Sequence, residues 1–265
     1  MEKHTFAICA YKESPYLEEC IKSLKSQTVK SNIIIVTSTP NQFISDLSEK
    51  YHLPYFVNMG EGGITQDWNF GYKCAKEKYG SELVTIAHQD DIYEKNYLED
   101  MYACINNSKK PLIFFGDYYE IRENKRVSRN KLLMVKRTML LPLRIKIFQR
   151  SKWIRRRILS FGSPICCPSV TFAVNNLPEV VFENHYRACE DWEAWEKISR
   201  IKGDFLYFPK LLMGHRIHNE SETTAAIGDN KRTKEEFEMF CKFWPKSIAR
   251  IILKQYAKSQ KFNQL

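Results

Sequence analysis

No stretch of about 18 apolar residues occurs anywhere in the 265-residue chain, so no helix is expected to cross a bilayer. Met1 to Ala10 passes from charged side chains directly into a strand pattern, without the layout of a signal peptide, and a cytoplasmic protein is expected. The eight cysteines (Cys9, Cys20, Cys74, Cys104, Cys166, Cys167, Cys189 and Cys241) include no C-x-x-C pair and no zinc-type spacing, which leaves them as reduced thiols. Internal repeats are absent. Disorder is excluded by 43% apolar and 13% aromatic residues, and the length suffices for a sizeable core in one large domain or one domain with a lobe.

The most local absence is of acids. Between Lys131 and Ile158 stand ten basic residues (Lys131, Lys136, Arg137, Arg144, Lys146, Arg150, Lys152, Arg155, Arg156 and Arg157) and no Asp or Glu, so this segment carries the whole net charge of +10. Leu, Ile, Met, Phe and Trp are interleaved with them, the composition of helices that lie on an anionic membrane surface. The interleaved residues are aliphatic rather than stacking aromatics, which favours a membrane over a nucleic acid as partner. A helical lobe packed on the main domain is compatible with the same pattern.

Acids are instead concentrated where a strand ends. In LVTIAHQDDIY, residues 83–93, a run of strand formers stops at Asp90 and Asp91. Open α/β sheets bind ligands at the carboxyl ends of their strands. Two carboxylates there offer the hard oxygen ligands that Mg2+ or Mn2+ share with a phosphate. Helix capping by Asp90 near Lys95 is the plain alternative. A glycine-rich phosphate loop with a basic residue, which a nucleotidyltransferase of related fold would show, does not precede the first helix. A non-catalytic binding module would give the paired acids no common purpose.

Periodicity predicts an alternating first half. Strands are expected at Phe6–Ala10, Asn32–Val36, Pro54–Val57, Leu83–Ala87 and Leu112–Ile121, with helices after Ser14-Pro15, at Gln42–Tyr51, Thr65–Tyr79 and Tyr97–Ile105. This order implies an α/β fold with a mostly parallel sheet flanked by helices. A strand at Ser169–Val174, a helix at Trp192–Ile201 and a helical tail from about Lys234 complete the pattern. The expected divisions are 1–121, a basic insertion at 122–165, 166–230, and the tail 231–265, within one structural domain.

Three segments then carry a resemblance. AICAYKESPYLEECIKSLKSQT, IAHQDDIYEKNYLE and CEDWEAWEKISRIKGDFLYFPKLLMGHRIHNESETT resemble, in order and spacing, the opening, the D-x-D region and the closing part of family 2 glycosyltransferases of the GT-A fold. The resemblance implies an inverting, metal-dependent transfer of a sugar from a nucleotide-diphosphate sugar to a glycan or lipid-linked glycan at the inner face of the cytoplasmic membrane, in surface polysaccharide synthesis. It implies nucleotide contacts from Ala10, Tyr11 and Glu13, from Asp67 and Asn69 in GGITQDWNFG, and from His88, Gln89 and Asp90. Asp90, Asp91 and His218 become the metal-side candidates, Arg216 a partner of the diphosphate, and Asp191, beside Glu190, the general base. Helix capping and the helix dipole account for one acid of that last pair but not for both. His88 at the strand end has an equal reading as a filler, and His215 is set aside as facing away. One departure is clear: the second strand ends in Thr37, Ser38 and Thr39, where the family places acids that read the base. UDP or dTDP is then only a family default.

Overall fold

The computed structural model describes residues 3–218 and 230–261. Its first half follows the predicted alternation: β1 (His4–Cys9), α1 (Leu17–Lys25), β2 (Asn32–Thr37), α2 (Gln42–Tyr51), β3 (Tyr55–Val57), α3 (Ile64–Tyr79), β4 (Leu83–His88), a two-residue β5 (Ile92–Tyr93) and α4 (Tyr97–Ile105). β1 is apolar at consecutive positions because both of its faces are covered. Ala7 packs with Trp68 and Tyr72 of α3, while Phe6 and Ile8 pack on the other side with Leu17 and Ile21 of α1 and Leu98 and Met101 of α4. The order β3-β2-β1-β4 is parallel throughout, so the carboxyl ends of these strands share one side of the sheet.

The second half contains β6 (Pro111–Arg122), β7 (Lys125–Val127), α5 (Lys131–Leu140), α6 (Lys146–Gln149), α7 (Lys152–Leu159), β8 (Val170–Ala173), α8 (Glu190–Ser199), β9 (Asp204–Ile217), α9 (Asn230–Cys241) and α10 (Lys246–Lys261). Here the sheet becomes mixed. β8 runs antiparallel between β4 and β6, whereas β6 and β9 are parallel, so four of the eight strand pairings are parallel. β9 is the element that pattern reading missed: Pro209 and Lys210 interrupt its buried run, and its register against β6 shifts near Gly116 and Asp117. Gly214 lies where a Cβ would come within 2.5 Å of the Tyr119 ring, so the two long strands can approach only with glycine there.

Two expected helix starts move. Ser14 does not cap α1; its hydroxyl donates to Asp90, and the helix opens at Leu17 behind Tyr16. α8 begins at Glu190 rather than Trp192, which places both acids of the Glu190-Asp191 pair in its first turn.

Much of the basic segment is built into the protein. Leu133, Leu140, Leu143, Ile158 and Leu159 are buried, and Arg155 is only 1% exposed. Its guanidinium donates to the carbonyls of Ser199 (2.8 Å), Gly203 (2.6 Å) and Ile201, closing the carboxyl end of α8. Arg156 pairs with Glu196, and Arg157 stacks against Trp244 at 4.7 Å. The expectation that these three arginines face a membrane is therefore corrected. Arg155→Met leaves three buried carbonyls unsatisfied and is expected to cost about 3 kcal/mol or more of stability, read as a lowered urea midpoint. The terminal helices likewise join the core: Met239, Phe240 and Ala249 are buried, and Trp192 of α8 packs against the rings of Phe240 and Tyr256.

Candidate active site

The strand-end acids are held by an unanticipated pairing. Because β5 joins β9, with Ile92 opposite Gly214, residues 90 and 91 are carried against 215–218. Asp91 is 1% exposed; it accepts from His215 Nδ1 at 3.0 Å and from the Arg216 amide at 2.9 Å. Burial pulls the His215 imidazolium down, but Asp91 beside it prevails and holds its pKa above the ordinary value. Asp90 is left with softer partners, the Ser14 hydroxyl at 3.0 Å and His218 Nε2 at 3.1 Å.

Arg216 is 5% exposed and each of its three nitrogens is engaged, with the Asp90 carbonyl (3.0 Å), Asn124 (3.1 Å) and Glu19, while the group stacks on Tyr16 at 4.3 Å. In this arrangement it braces the acids through the Asp90 carbonyl and its own amide on Asp91. His215, set aside in the sequence, is the partner of Asp91; treating 204–217 as a continuous strand would have revealed it.

A carboxylate oxygen suits Mn2+ or Mg2+, which take one or two protein ligands and complete their shell with phosphate and water, and the imidazole nitrogen beside it is a second candidate ligand for Mn2+. Asp90 and His218 fit that role. Asp91 has its oxygens on the His215 ring and the Arg216 amide. Among the described residues, three side chains with mutual metal-ligand spacing occur instead at Glu183, His185 and Glu193. That cluster is neutralised by Lys242, 2.6 Å from Glu193, and by Lys197 on Glu183, so it is an ion-pair network.

The loops after β1 and β2 are stitched together beside this corner. Gln89 accepts from the Tyr11 amide and donates to the Tyr11 carbonyl, both at 3.0 Å, and the Lys12 amide donates to Thr39 at 2.7 Å. Ala10 is buried, with its amide on the Val36 carbonyl at 2.9 Å, while Tyr11 and Glu13 are exposed. Thr37 is buried and its hydroxyl accepts from the Thr39 amide at 3.0 Å. Asp67 reaches across from α3 to accept from Ser38 (2.7 Å) and Asn58 (2.9 Å). Asn69 lies elsewhere in role: its amide clamps the backbone of Phe182 in both directions, at 2.7 and 3.2 Å. His88 stacks on Trp68 at 5.1 Å, burial lowers its pKa, and its Nε2 is buried without a partner among the described residues.

On the other side stands Asp191. Burial raises its carboxyl pKa, against the opposing pull of the Lys136 ammonium, the Trp192 amide, Arg232 and the Ser163 hydroxyl at 3.5 Å. Glu190 is buried next to it. Lys136 Nζ lies 3.0 Å from the Tyr118 hydroxyl, and the Tyr118 ring lies 6.1 Å from His215. Lys136, Tyr118 and Ser163 had no signal in the sequence, because each reaches the site from an element whose position depends on distant packing. The closing NESETT stretch, residues 219–224, lies outside the described residues.

A parallel α/β half that presents loops and an acid corner at its strand ends is the architecture of GT-A glycosyltransferases. The fold agrees over nearly the whole chain: S. aureus TarS in complex with UDP-GlcNAc matches with a TM-score of 0.66 at 16% identity, covering 96% of this chain and 71% of that one. The mannosyltransferase PcManGT from Pyrobaculum calidifontis, in complex with GDP-Man and Mn2+, matches with a TM-score of 0.63 at 14% identity, covering 96% and 69%. The family model for glycosyl transferase family 2 matches residues 5–169, more than half of the sequence, and the chain belongs to that family. A Haemophilus influenzae protein named as an uncharacterized glycosyltransferase is 23% identical over 243 residues, 87% of this chain and 70% of the relative.

Proposed function

We propose that this glycosyltransferase moves a sugar, with inversion, from a nucleotide-diphosphate sugar to a hydroxyl of a glycan or lipid-linked glycan in surface polysaccharide synthesis. The observation that carries the reading is the contrast between two carboxylates: Asp90, held among the described residues by a hydroxyl and an imidazole, and Asp191, raised by burial. The loops at Ala10–Lys12 and Thr37–Thr39, with Asp67, form the nucleotide cradle. Bound Mn2+ or Mg2+ at Asp90 and His218 would neutralise the diphosphate. Asp191 takes the proton from the acceptor hydroxyl as its oxygen bonds to the anomeric carbon and the carbon–phosphate oxygen bond breaks, releasing the nucleoside diphosphate. A carboxylate with a raised pKa is the better base for this step. Neither a nucleotidyltransferase nor a non-catalytic module is favoured by the family match. Mass spectrometry of the protein incubated with UDP, dTDP and GDP sugars and simple acceptors should give a product heavier by one sugar residue; an unchanged acceptor with every donor would contradict the reading.

The acceptor side also supports attachment to an anionic membrane. No described helix is long and apolar enough to cross one. Yet, among the described residues, seven of the twelve exposed large apolar side chains lie between Met134 and Phe161, with Ile147 at 70% and Trp153 at 65% exposure. Lys131, Arg144, Lys146, Arg150 and Lys152 are exposed among them. This surface, rather than Arg155–Arg157, is the docking face, and it joins greasy and cationic contacts. Ile147→Glu with Trp153→Glu should lower binding to phosphatidylserine vesicles about tenfold or more without changing the melting temperature. Sedimentation showing equal binding would leave the segment as a packing lobe.

A further inference from the structure

Two cations project from the inward face of α5 toward β6, and their surroundings differ sharply. Arg137 donates to the carbonyls of Ser128 (2.8 Å) and Tyr118 (2.7 Å) and stands 3.6 Å from the Asp117 carboxylate. Lys136 has its Nζ 3.0 Å from the Tyr118 hydroxyl, and among the described residues no carboxylate lies within ion-pair distance of it. An ammonium carries three donors, and a phenol oxygen does not occupy them all. A charge withdrawn from water costs several kcal/mol unless it is paired. The cavity that Lys136 lines with Asp117, Tyr118, Arg137 and Pro164 is about 10 Å³, room for roughly one water.

The position of this ammonium gives it a use. The Tyr118 ring lies 6.1 Å from His215, the partner of Asp91, and Pro164 adjoins Ser163, whose hydroxyl is 3.5 Å from Asp191. Lys136 therefore stands between the acid corner and the proposed base. We propose that Lys136 is an acceptor-binding residue and that the acceptor is anionic, presenting a phosphate to this ammonium near the hydroxyl that Asp191 deprotonates. The inference rests on the transferase reading. The donor's diphosphate is the other source of phosphate, but its counter-charge belongs at Asp90 and His218, beyond the His215-Asp91 pair. Sequence alone gave Lys136 no distinction from its nine basic neighbours; the structure removes it from the docking face and turns it into the site.

The test is calorimetric titration of glycerol 1-phosphate, with glycerol as the neutral control, into the full chain saturated with Mg2+ and whichever of UDP, GDP or dTDP binds. Wild type should bind glycerol 1-phosphate and not glycerol. Lys136→Met should weaken that binding about tenfold or more, and Lys136→Arg should restore most of it, with nucleotide affinity unchanged in both. Binding that the nucleotide displaces would assign Lys136 to the donor and overturn the proposal, as would equal binding by the Met variant or none by wild type. A chain that binds no nucleotide fails that control first, which marks the transferase reading itself as the failure and removes the inference with it.

Discussion

Asp191→Asn should lower turnover by about 10²-fold or more while the melting temperature and nucleotide affinity stay near those of wild type. Asn keeps the shape of the side chain and an oxygen that can accept the Trp192 amide, so the first turn of α8 retains its local bond. What it cannot do is take a proton. Because burial raises the Asp191 pKa, the wild-type rate should climb with pH along an acid limb displaced above the ordinary carboxylate range. That limb should vanish from the residual activity of the Asn variant. A protein that unfolds on this substitution, with turnover per folded molecule preserved, would make Asp191 a helix cap.

Asp90→Ala is expected to remove detectable transfer and to weaken Mn2+-dependent nucleotide binding by about 100-fold, since the diphosphate loses its bound counter-charge. The neighbouring substitution should behave differently. Asp91 is buried between His215 and the Arg216 amide, so Asp91→Ala leaves the His215 ring and the amide without their acceptor and should destabilise the fold itself. Two adjacent aspartates thus separate into one that binds and one that holds, and parallel melting curves with metal-dependent nucleotide titrations would tell them apart. Equal loss of stability in both would remove that division.

The first half of the fold was legible because its signals are local. Phe6, Ala7 and Ile8 form a continuous apolar run on a strand covered on both faces, and the spacing of Leu17, Cys20, Ile21 and Leu24 marks one helix face. The paired acids were legible for the same reason, ending a strand whose register is set by β1. What escaped was everything decided by long-range packing. β5 has two residues and exists only because β9 lies beside it, yet that contact fixes what surrounds Asp91. Arg155, Lys136 and Arg150 look alike in a basic run, but the first closes α8, the second turns to the Tyr118 hydroxyl and the third stays exposed. Charge counting gives their sum and not their directions.

The most direct test of the account is an NMR time course of wild-type protein with its donor and acceptor in Mn2+, repeated with excess EDTA. The anomeric coupling of the product should show the configuration opposite to that of the donor, with one nucleoside diphosphate released per glycoside formed, and EDTA should stop both signals. A product that keeps the donor's configuration, or full turnover in EDTA, would contradict it.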